Sequence, residues 1–142
     1  MKRNASAVWY GSLKDGRGEL SSESGALSDT PYSFGTRFED ERGTNPEELI
    51  GAAHAGCFSM ALSMILGEHD VTPERIDTKA DVTLEQVDDG FAITRVHLTT
   101  RVEVSGLDPA DFEEAANAAK AGCPVSKLLD AEITMDATLV TD

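Results

Sequence analysis

Apolar residues are concentrated in one long stretch near the middle of the chain, with shorter alternating stretches on either side. The long stretch covers residues 49–66 and is apolar on nearly every face of a helix. Asn45 can cap this helix, Pro46 suits its first turn, and Glu48 completes a capping-box pattern. The pattern predicts a helix that begins at Pro46, runs about six turns to Gly67 and is surrounded by protein.

The residues before this helix predict three extended segments. Residues 5–10 and 19–22 flank the glycine-rich turn Lys14-Asp-Gly-Arg-Gly18. Asp-Gly in such a turn is a hairpin signal. Aromatic and β-branched residues alternate with small ones through Tyr32–Phe38, which predicts the third strand.

Alternation returns after the helix, beyond Pro73. Apolar side chains at Ala80, Val82 and Leu84 are separated by polar ones, and Asp88-Asp-Gly90 predicts a turn. The chain then returns along Phe91–Val104. These features predict a second, longer hairpin.

The end of the chain predicts two helices and a closing strand. Asp108-Pro109 opens a helix that ends near Gly122, Pro124 begins a short one, and Ile133–Val140 is extended. The element order predicts an α+β fold with mainly antiparallel sheet, as a single domain over residues 1–142. One such domain has little material with which to cover the central helix completely, which favours a homodimer.

Charge and hydropathy exclude several classes of partner. The 26 acidic and 12 basic side chains give a net charge of −14, which repels nucleic-acid phosphates and anionic membrane surfaces. The stretch 49–66 contains His54 and two serines between acidic flanks, so a buried helix explains it better than a membrane span. The basic N-terminus precedes no apolar segment of the secretory type. We therefore expect a cytoplasmic protein with reduced thiols.

The chemistry-bearing candidates are the two cysteines of the chain. Cys57 lies within the apolar helix, where a cysteine packs as a small hydrophobe and burial raises its pKa unless a cation is near. His54, three residues earlier on the same face, and the arginines are candidates for that cation. Cys123 precedes Pro124 and would cap the short helix, where the dipole favours a thiolate. Local electrostatics therefore nominate Cys123 as the more reactive thiol.

The charged candidates have simpler interpretations as well. Arg17 in the first turn and Arg37 in its aromatic segment are each explicable as solvated surface charges. Glu47 in the first helical turn is explicable by stabilisation of the helix dipole. Ten residues separate Glu47 from Cys57, or about 15 Å of helical rise, so within one chain they cannot touch. The histidines have no recognisable ligand spacing, and no metal site is predicted.

Two segments together resemble a known family. Residues 43–62, which include Ala55-Gly-Cys57, and the segment Ala121-Gly-Cys-Pro-Val-Ser126 are similar to the osmotically inducible protein C (OsmC) family. Residues 31–39 and 89–94 resemble its OsmC branch more than its organic hydroperoxide resistance (Ohr) branch. The resemblance covers essentially the whole chain. It implies an OsmC-like intertwined homodimer, in which sheets of both subunits wrap central long helices.

The resemblance also implies an activity and a set of site residues. It implies a thiol-dependent peroxidase in which Cys57 is peroxidatic and Cys123 resolves it as a disulfide. An arginine holds the thiolate, and Glu47 orients that arginine. The OsmC branch gives Arg37 for this role, which we prefer, whereas the Ohr branch gives Arg17. A guanidinium beside Cys57 would outweigh the penalty for burying its thiolate.

Further expectations concern substrates and partners. The resemblance implies an antioxidant role in oxidative and osmotic stress, with organic hydroperoxides reduced better than hydrogen peroxide. An external thiol, such as a lipoyl group on a protein, would regenerate the enzyme, and neither metal nor organic cofactor is needed. Candidate walls for the organic tail, which core packing explains equally well, are Phe34, Phe38, Phe58 and Met60. The alternative is a non-catalytic binding protein or passive redox switch; a disulfide reductase lacks a Cys-x-x-Cys motif.

Overall fold

Six strands and four helices form the described part of the chain, residues 1–141 of a computed structural model. Their order is β1 (Ala5–Tyr10), β2 (Arg17–Ser22), β3 (Thr30–Tyr32), α1 (Phe34–Phe38), α2 (Pro46–Glu68), β4 (Arg75–Val87), β5 (Gly90–Glu103), α3 (Pro109–Gly122), α4 (Pro124–Leu128) and β6 (Glu132–Val140). They divide into two compact units, Met1–Leu49 and the chain from Ile50 onward. The mixture of helices and sheets confirms the predicted α+β class. The single domain over residues 1–142 stays a prediction.

The first unit contains an antiparallel sheet in the order β1-β2-β3. Gly18 lies opposite Trp9 on one neighbouring strand and opposite Tyr32 on the other. The two rings approach to 5.4 Å between centroids, and any side chain at Gly18 would collide with both. The glycine is therefore a packing requirement, and the first predicted hairpin is confirmed.

The prediction of a third strand through Tyr32–Phe38 is wrong over most of its length. The strand β3 ends at Tyr32, and the helix α1 follows. Ser33 caps this helix: its Oγ accepts from the Thr36 N–H at 3.2 Å, and Thr36 Oγ1 accepts from the Ser33 N–H at 2.9 Å. This reciprocal capping box stabilises a helical turn where the alternation of side chains had indicated a strand.

The central helix α2 follows the sequence pattern closely. Asn45 Oδ1 accepts a hydrogen bond from the Glu48 N–H at 2.8 Å, which confirms the predicted N-cap. By length and composition alone the helix could cross a membrane, since its most apolar window has a mean hydropathy of 1.7. Phe58, Leu62 and Leu66 are fully buried in the core of the second unit. However, only 28% of that window is buried within the chain, so the expectation that protein surrounds the helix on all sides is not met by one chain alone.

The second unit contains a sheet in the order β4-β5-β6. Strands β4 and β5 form the predicted long hairpin, but β6 runs parallel to β5. A parallel neighbour requires a crossover connection, which α3 and α4 supply. Along β5 alternate side chains are buried, from Val96 through Leu98 and Thr100 to Val102. These side chains form one core with α2, α3 and Cys123, which places one of the two candidate thiols inside the core.

Candidate active site

The two cysteines meet in the second unit. Their Sγ atoms lie 2.9 Å apart, although 66 positions separate the residues in the chain. Both are free thiols, and Cys57 on α2 is partly exposed while Cys123 is fully buried. Cys57 is therefore the residue of the pair with access to solvent, and the buried sulfur of Cys123 is in contact with its sulfur. This arrangement suits a pair in which one thiol reacts first and the other follows.

The backbone of Cys123 forms hydrogen bonds with both α3 and α4. Its N–H donates to the Ala119 carbonyl at 3.0 Å and ends α3. Its carbonyl accepts from the Lys127 N–H at 3.1 Å and begins α4. Pro124 supplies the fixed φ that suits the first helical position. The buried sulfur therefore has a well-defined position relative to α2.

The environment separates the acidities of the two thiols. Burial raises the pKa of Cys57, and its hydrogen bond with Cys123 raises it further. Burial would also raise the pKa of Cys123, but hydrogen bonds with Cys57 and with Ser126 outweigh this and lower it. Either sulfur can donate in such a pair, and the two shifts make Cys123 the more acidic thiol. The direction agrees with the local electrostatics expected at the start of α4.

A buried histidine lies beside the thiol pair. His54 is fully buried, and its Nε2 lies 2.7 Å from Ser126 Oγ on α4. The other ring nitrogen, Nδ1, has no hydrogen-bond partner in the described residues. Burial lowers the pKa of His54, so the ring is neutral near pH 7. A neutral ring supplies no cation to Cys57.

Arg37 and Glu47 form an ion pair within the first unit. The guanidinium uses Nε and Nη2 to donate to the Glu47 carboxylate, with a shortest distance of 2.8 Å. The carboxylate is largely shielded from solvent, whereas the arginine side chain is 37% exposed. A forked pair of this kind fixes the guanidinium plane. Its Nη1 donors make no hydrogen bond to the residues that the structure describes and remain available to a ligand.

Arg17 has different surroundings. Its guanidinium carbon lies 4.9 Å from the centroid of the Tyr10 ring. The polar cleft that it lines also contains Lys14 and the carboxylates of Glu39 and Glu41. Of the two candidate arginines, Arg37 is therefore the one that forms an ion pair with Glu47.

An apolar cavity of about 260 Å³ lies beside Arg37 in the first unit. Aromatic side chains form most of its wall, and they are Trp9, Tyr32, Phe34 and Phe38. The other two candidate wall residues lie elsewhere: Phe58 is fully buried in the core of the second unit, and Met60 is 78% exposed on α2. The role of all four candidates in substrate binding stays a prediction.

Ser126 is the side chain at this site that the sequence did not single out. It follows Cys123 by three positions, so both lie on one face of α4, and this spacing was the available signal. Its contact with His54 spans 72 positions and has no local signature. In the described part of the chain, no group of three or more histidine, cysteine or carboxylate side chains is arranged to hold a metal ion.

Comparison with known proteins identifies the family. The sequence model of the OsmC-like protein family matches residues 38–138. The chain is 58% identical to Peroxiredoxin OsmC of Escherichia coli over 94% of both chains. It is 31% identical to the organic hydroperoxide resistance protein OhrB of Bacillus subtilis, over 78% of this chain and 79% of that one. The higher identity to the first relative agrees with the resemblance to the OsmC branch.

The fold agrees with this assignment. An OsmC-like protein of Vibrio cholerae matches with a TM-score of 0.75 over 96% of this chain and 99% of that one, at 18% identity. At such an identity the match concerns the fold alone. Because the family model matches most of the chain and the identity to Peroxiredoxin OsmC is high over its length, this chain belongs to the OsmC family.

Proposed function

We propose that this protein is a thiol-dependent peroxidase that reduces organic hydroperoxides, and hydrogen peroxide less well. The observation that carries the proposal is the thiol pair, in which one cysteine is partly exposed, the other is buried, and the two sulfurs lie 2.9 Å apart. Membership of the OsmC family supports it, and so do the names of the relatives, a peroxiredoxin and a hydroperoxide resistance protein. The mechanism requires neither metal nor organic cofactor.

In the first step the Cys57 thiolate attacks one peroxide oxygen. The O–O bond breaks, alcohol or water leaves, and Cys57 becomes a sulfenic acid. Its partial exposure supports Cys57 as the attacking thiol. Because burial and Cys123 raise its pKa within the second unit, a cation must come from elsewhere to favour its thiolate.

We assign that cation to Arg37, held in orientation by Glu47. The free donors of Arg37 can bind the thiolate and then the developing alkoxide. About 15 Å of helical rise separates Glu47 from Cys57 in one chain. Glu47 therefore acts through Arg37, and a site shared between two subunits is compatible with this spacing. The aromatic cavity beside Arg37 has the polarity to receive an organic tail.

In the second step Cys123 attacks the oxidised Cys57 sulfur and releases water. From the observed separation of 2.9 Å, less than about 1 Å of movement brings the sulfurs to bonding distance. An external thiol, such as a protein-bound lipoyl group, would then reduce the disulfide.

The test is rapid mixing of the reduced protein with cumene hydroperoxide or with hydrogen peroxide, followed by a count of the remaining thiols. We expect both thiols to be lost, about tenfold or more faster with the organic peroxide, because its tail is buried against apolar side chains. If both oxidants remove thiols only at the slow rate of a free cysteine, the proposal fails. A binding protein or passive redox switch would then be the better interpretation.

We also propose that the protein is an intertwined homodimer. In the first unit only Gly18, Gly35 and Thr36 are buried, so its sheet has no apolar core of its own. On α2 an exposed stripe includes Gly56, Met60 and Met64, and the two methionines are 78% and 65% exposed. A second copy would cover both surfaces. Since α2 continues from the first unit into the second, we treat residues 1–142 as one domain.

We expect sedimentation equilibrium to give twice the mass of the chain. Met60→Glu should weaken dimerisation at least about a hundredfold, because it buries an unpaired carboxylate in the apolar stripe. The control is Leu128→Glu, at a side chain that is 80% exposed on α4, which should leave the dimer intact. A monomeric parent protein would contradict the proposal. The remaining expectations are a cytoplasmic location and no nucleic-acid or membrane partner.

A further inference from the structure

A buried hydrogen bond between His54 and Ser126 lies next to Cys123. Ser126 follows Cys123 by three positions on α4, and its hydroxyl and backbone N–H are among the groups that lower the pKa of Cys123. The same hydroxyl lies 2.7 Å from His54 Nε2. His54 and Cys123 are fully buried, so bulk water does not compete for these bonds. The serine thus connects a buried histidine on α2 to the second thiol of the site.

The partners of the histidine determine its tautomer. A neutral ring carries one N–H and one acceptor nitrogen. Burying the N–H without an acceptor costs more free energy than burying the acceptor nitrogen without a donor. Because Nδ1 has no partner in the described residues, the proton belongs on Nε2. His54 then donates to Ser126 Oγ. The serine hydrogen is consequently directed away from the histidine and toward the sulfur.

We propose that His54 is a positioning residue for disulfide formation: it holds the Ser126 hydroxyl so that this hydroxyl donates to the Cys123 sulfur and favours its reactive thiolate. The inference rests on the proposed peroxidase function and assigns Ser126 as the catalytic hydrogen-bond donor of its second step. Hydrogen bonds to a charged acceptor are stronger than those to a neutral one, so this donor favours the thiolate over the thiol.

The step balances in atoms and electrons. The Cys123 sulfur gives up its proton and attacks the Cys57 sulfur of the sulfenic acid. An S–S bond forms, the Cys57 S–O bond breaks, and the departing hydroxide takes up one proton to leave as water. Cys123 is oxidised and the Cys57 sulfur is reduced. His54 and Ser126 undergo no net change, and no further reactant is needed.

The pH dependence of this step is determined by the few groups near the Cys123 sulfur that affect its pKa. The titratable groups facing the Cys123 sulfur are Cys57 and, through Ser126, His54, both from α2. From α4 come the N–H groups of Val125 and Ser126, and from α3 the Ala119 carbonyl accepts the Cys123 N–H. None of these groups is a carboxylate or a cationic side chain. Loss of the serine hydrogen bond should therefore raise the pKa of Cys123 and move disulfide formation to higher pH.

The experiment is a single turnover with one equivalent of cumene hydroperoxide, quenched at intervals with an alkylating agent and analysed by mass spectrometry. It measures the oxidation of Cys57 and the formation of the disulfide separately, at several pH values. The informative pair is His54→Met, which lacks a donor, and His54→Gln, whose Nε2 can still donate. Ser126→Ala removes the hydroxyl itself. Its matched control is Ser59→Ala, which removes a hydroxyl that donates to Thr78.

We expect disulfide formation near pH 7 to slow about tenfold relative to Cys57 oxidation in His54→Met and Ser126→Ala, with the pH midpoint raised. His54→Gln should restore most of the rate, and Ser59→Ala should resemble the parent protein. Equal slowing in His54→Gln and His54→Met, or an unmoved pH midpoint, would mean that these residues only pack the core and would overturn the inference. If the parent protein shows no rapid Cys57 oxidation, it is the proposed function that has failed.

Discussion

Replacing Cys57 with serine is expected to reduce peroxide turnover at least about a thousandfold. The serine hydroxyl occupies the same place, but it is a far weaker acid than a thiol and supplies almost no anionic nucleophile at neutral pH. The steady-state rate of cumene hydroperoxide consumption, with excess dithiol as reductant, measures the effect.

Cys123→Ser is the matched control, because it removes the other sulfur of the same pair. This variant should still complete one oxidation of Cys57, after which the unresolved sulfenic acid proceeds to sulfinic acid under excess peroxide. Intact mass before and after peroxide distinguishes these products. The opposite pattern, with the first oxidation lost in Cys123→Ser and kept in Cys57→Ser, would make Cys123 the attacking thiol. Its lowered pKa makes this a real alternative.

Replacing Arg37 with methionine is expected to have the second largest effect, a loss of about a hundredfold or more in the rate of Cys57 oxidation near pH 7. Without the guanidinium, burial and the bond to Cys123 leave the pKa of Cys57 raised, and less of it is thiolate. Since a higher pKa moves the thiolate form to higher pH, part of the lost rate should return as pH increases. A pH–rate profile of the first oxidation measures both effects.

Arg17→Met is the matched control for this prediction. Arg17 stacks on Tyr10 and has no ion pair with Glu47, so the rate should stay within about twofold of the parent protein. Glu47→Gln should have an intermediate effect, because Arg37 keeps its charge but loses the carboxylate that orients it. A large loss in Arg17→Met together with a small one in Arg37→Met would transfer the role to Arg17.

Features with local causes were predictable from the sequence. The central helix has its cap, its proline and its apolar length within one continuous stretch, and the hairpins have their turn residues between alternating strands. The helix α1 also has a local signal, the capping pair Ser33 and Thr36. The alternation of aromatic and small residues in the same segment favours a strand instead, so the pattern predicts the wrong element there.

The direction of β6 relative to β5 could not be predicted from the sequence pattern, for a different reason. The alternation along β6 is compatible with either direction, and the direction follows from how α3 and α4 carry the chain across. For the arginines, residue type and position alone are compatible with a surface charge at either place. The family resemblance favours Arg37, and the ion pair of Arg37 with Glu47 is a contact that only the folded chain shows.

By itself the sequence determined the α+β class, the long apolar helix, the identity of the two thiols and the resemblance to a family of peroxidases. These depend on residue types and short spacings, which act between near neighbours along the chain. Only the tertiary structure brought Cys57 and Cys123 together, directed Arg37 rather than Arg17 to Glu47, and connected His54 to Ser126. Those contacts join distant segments, and their geometry is decided by how helices and sheets pack, a property that no local stretch of sequence contains.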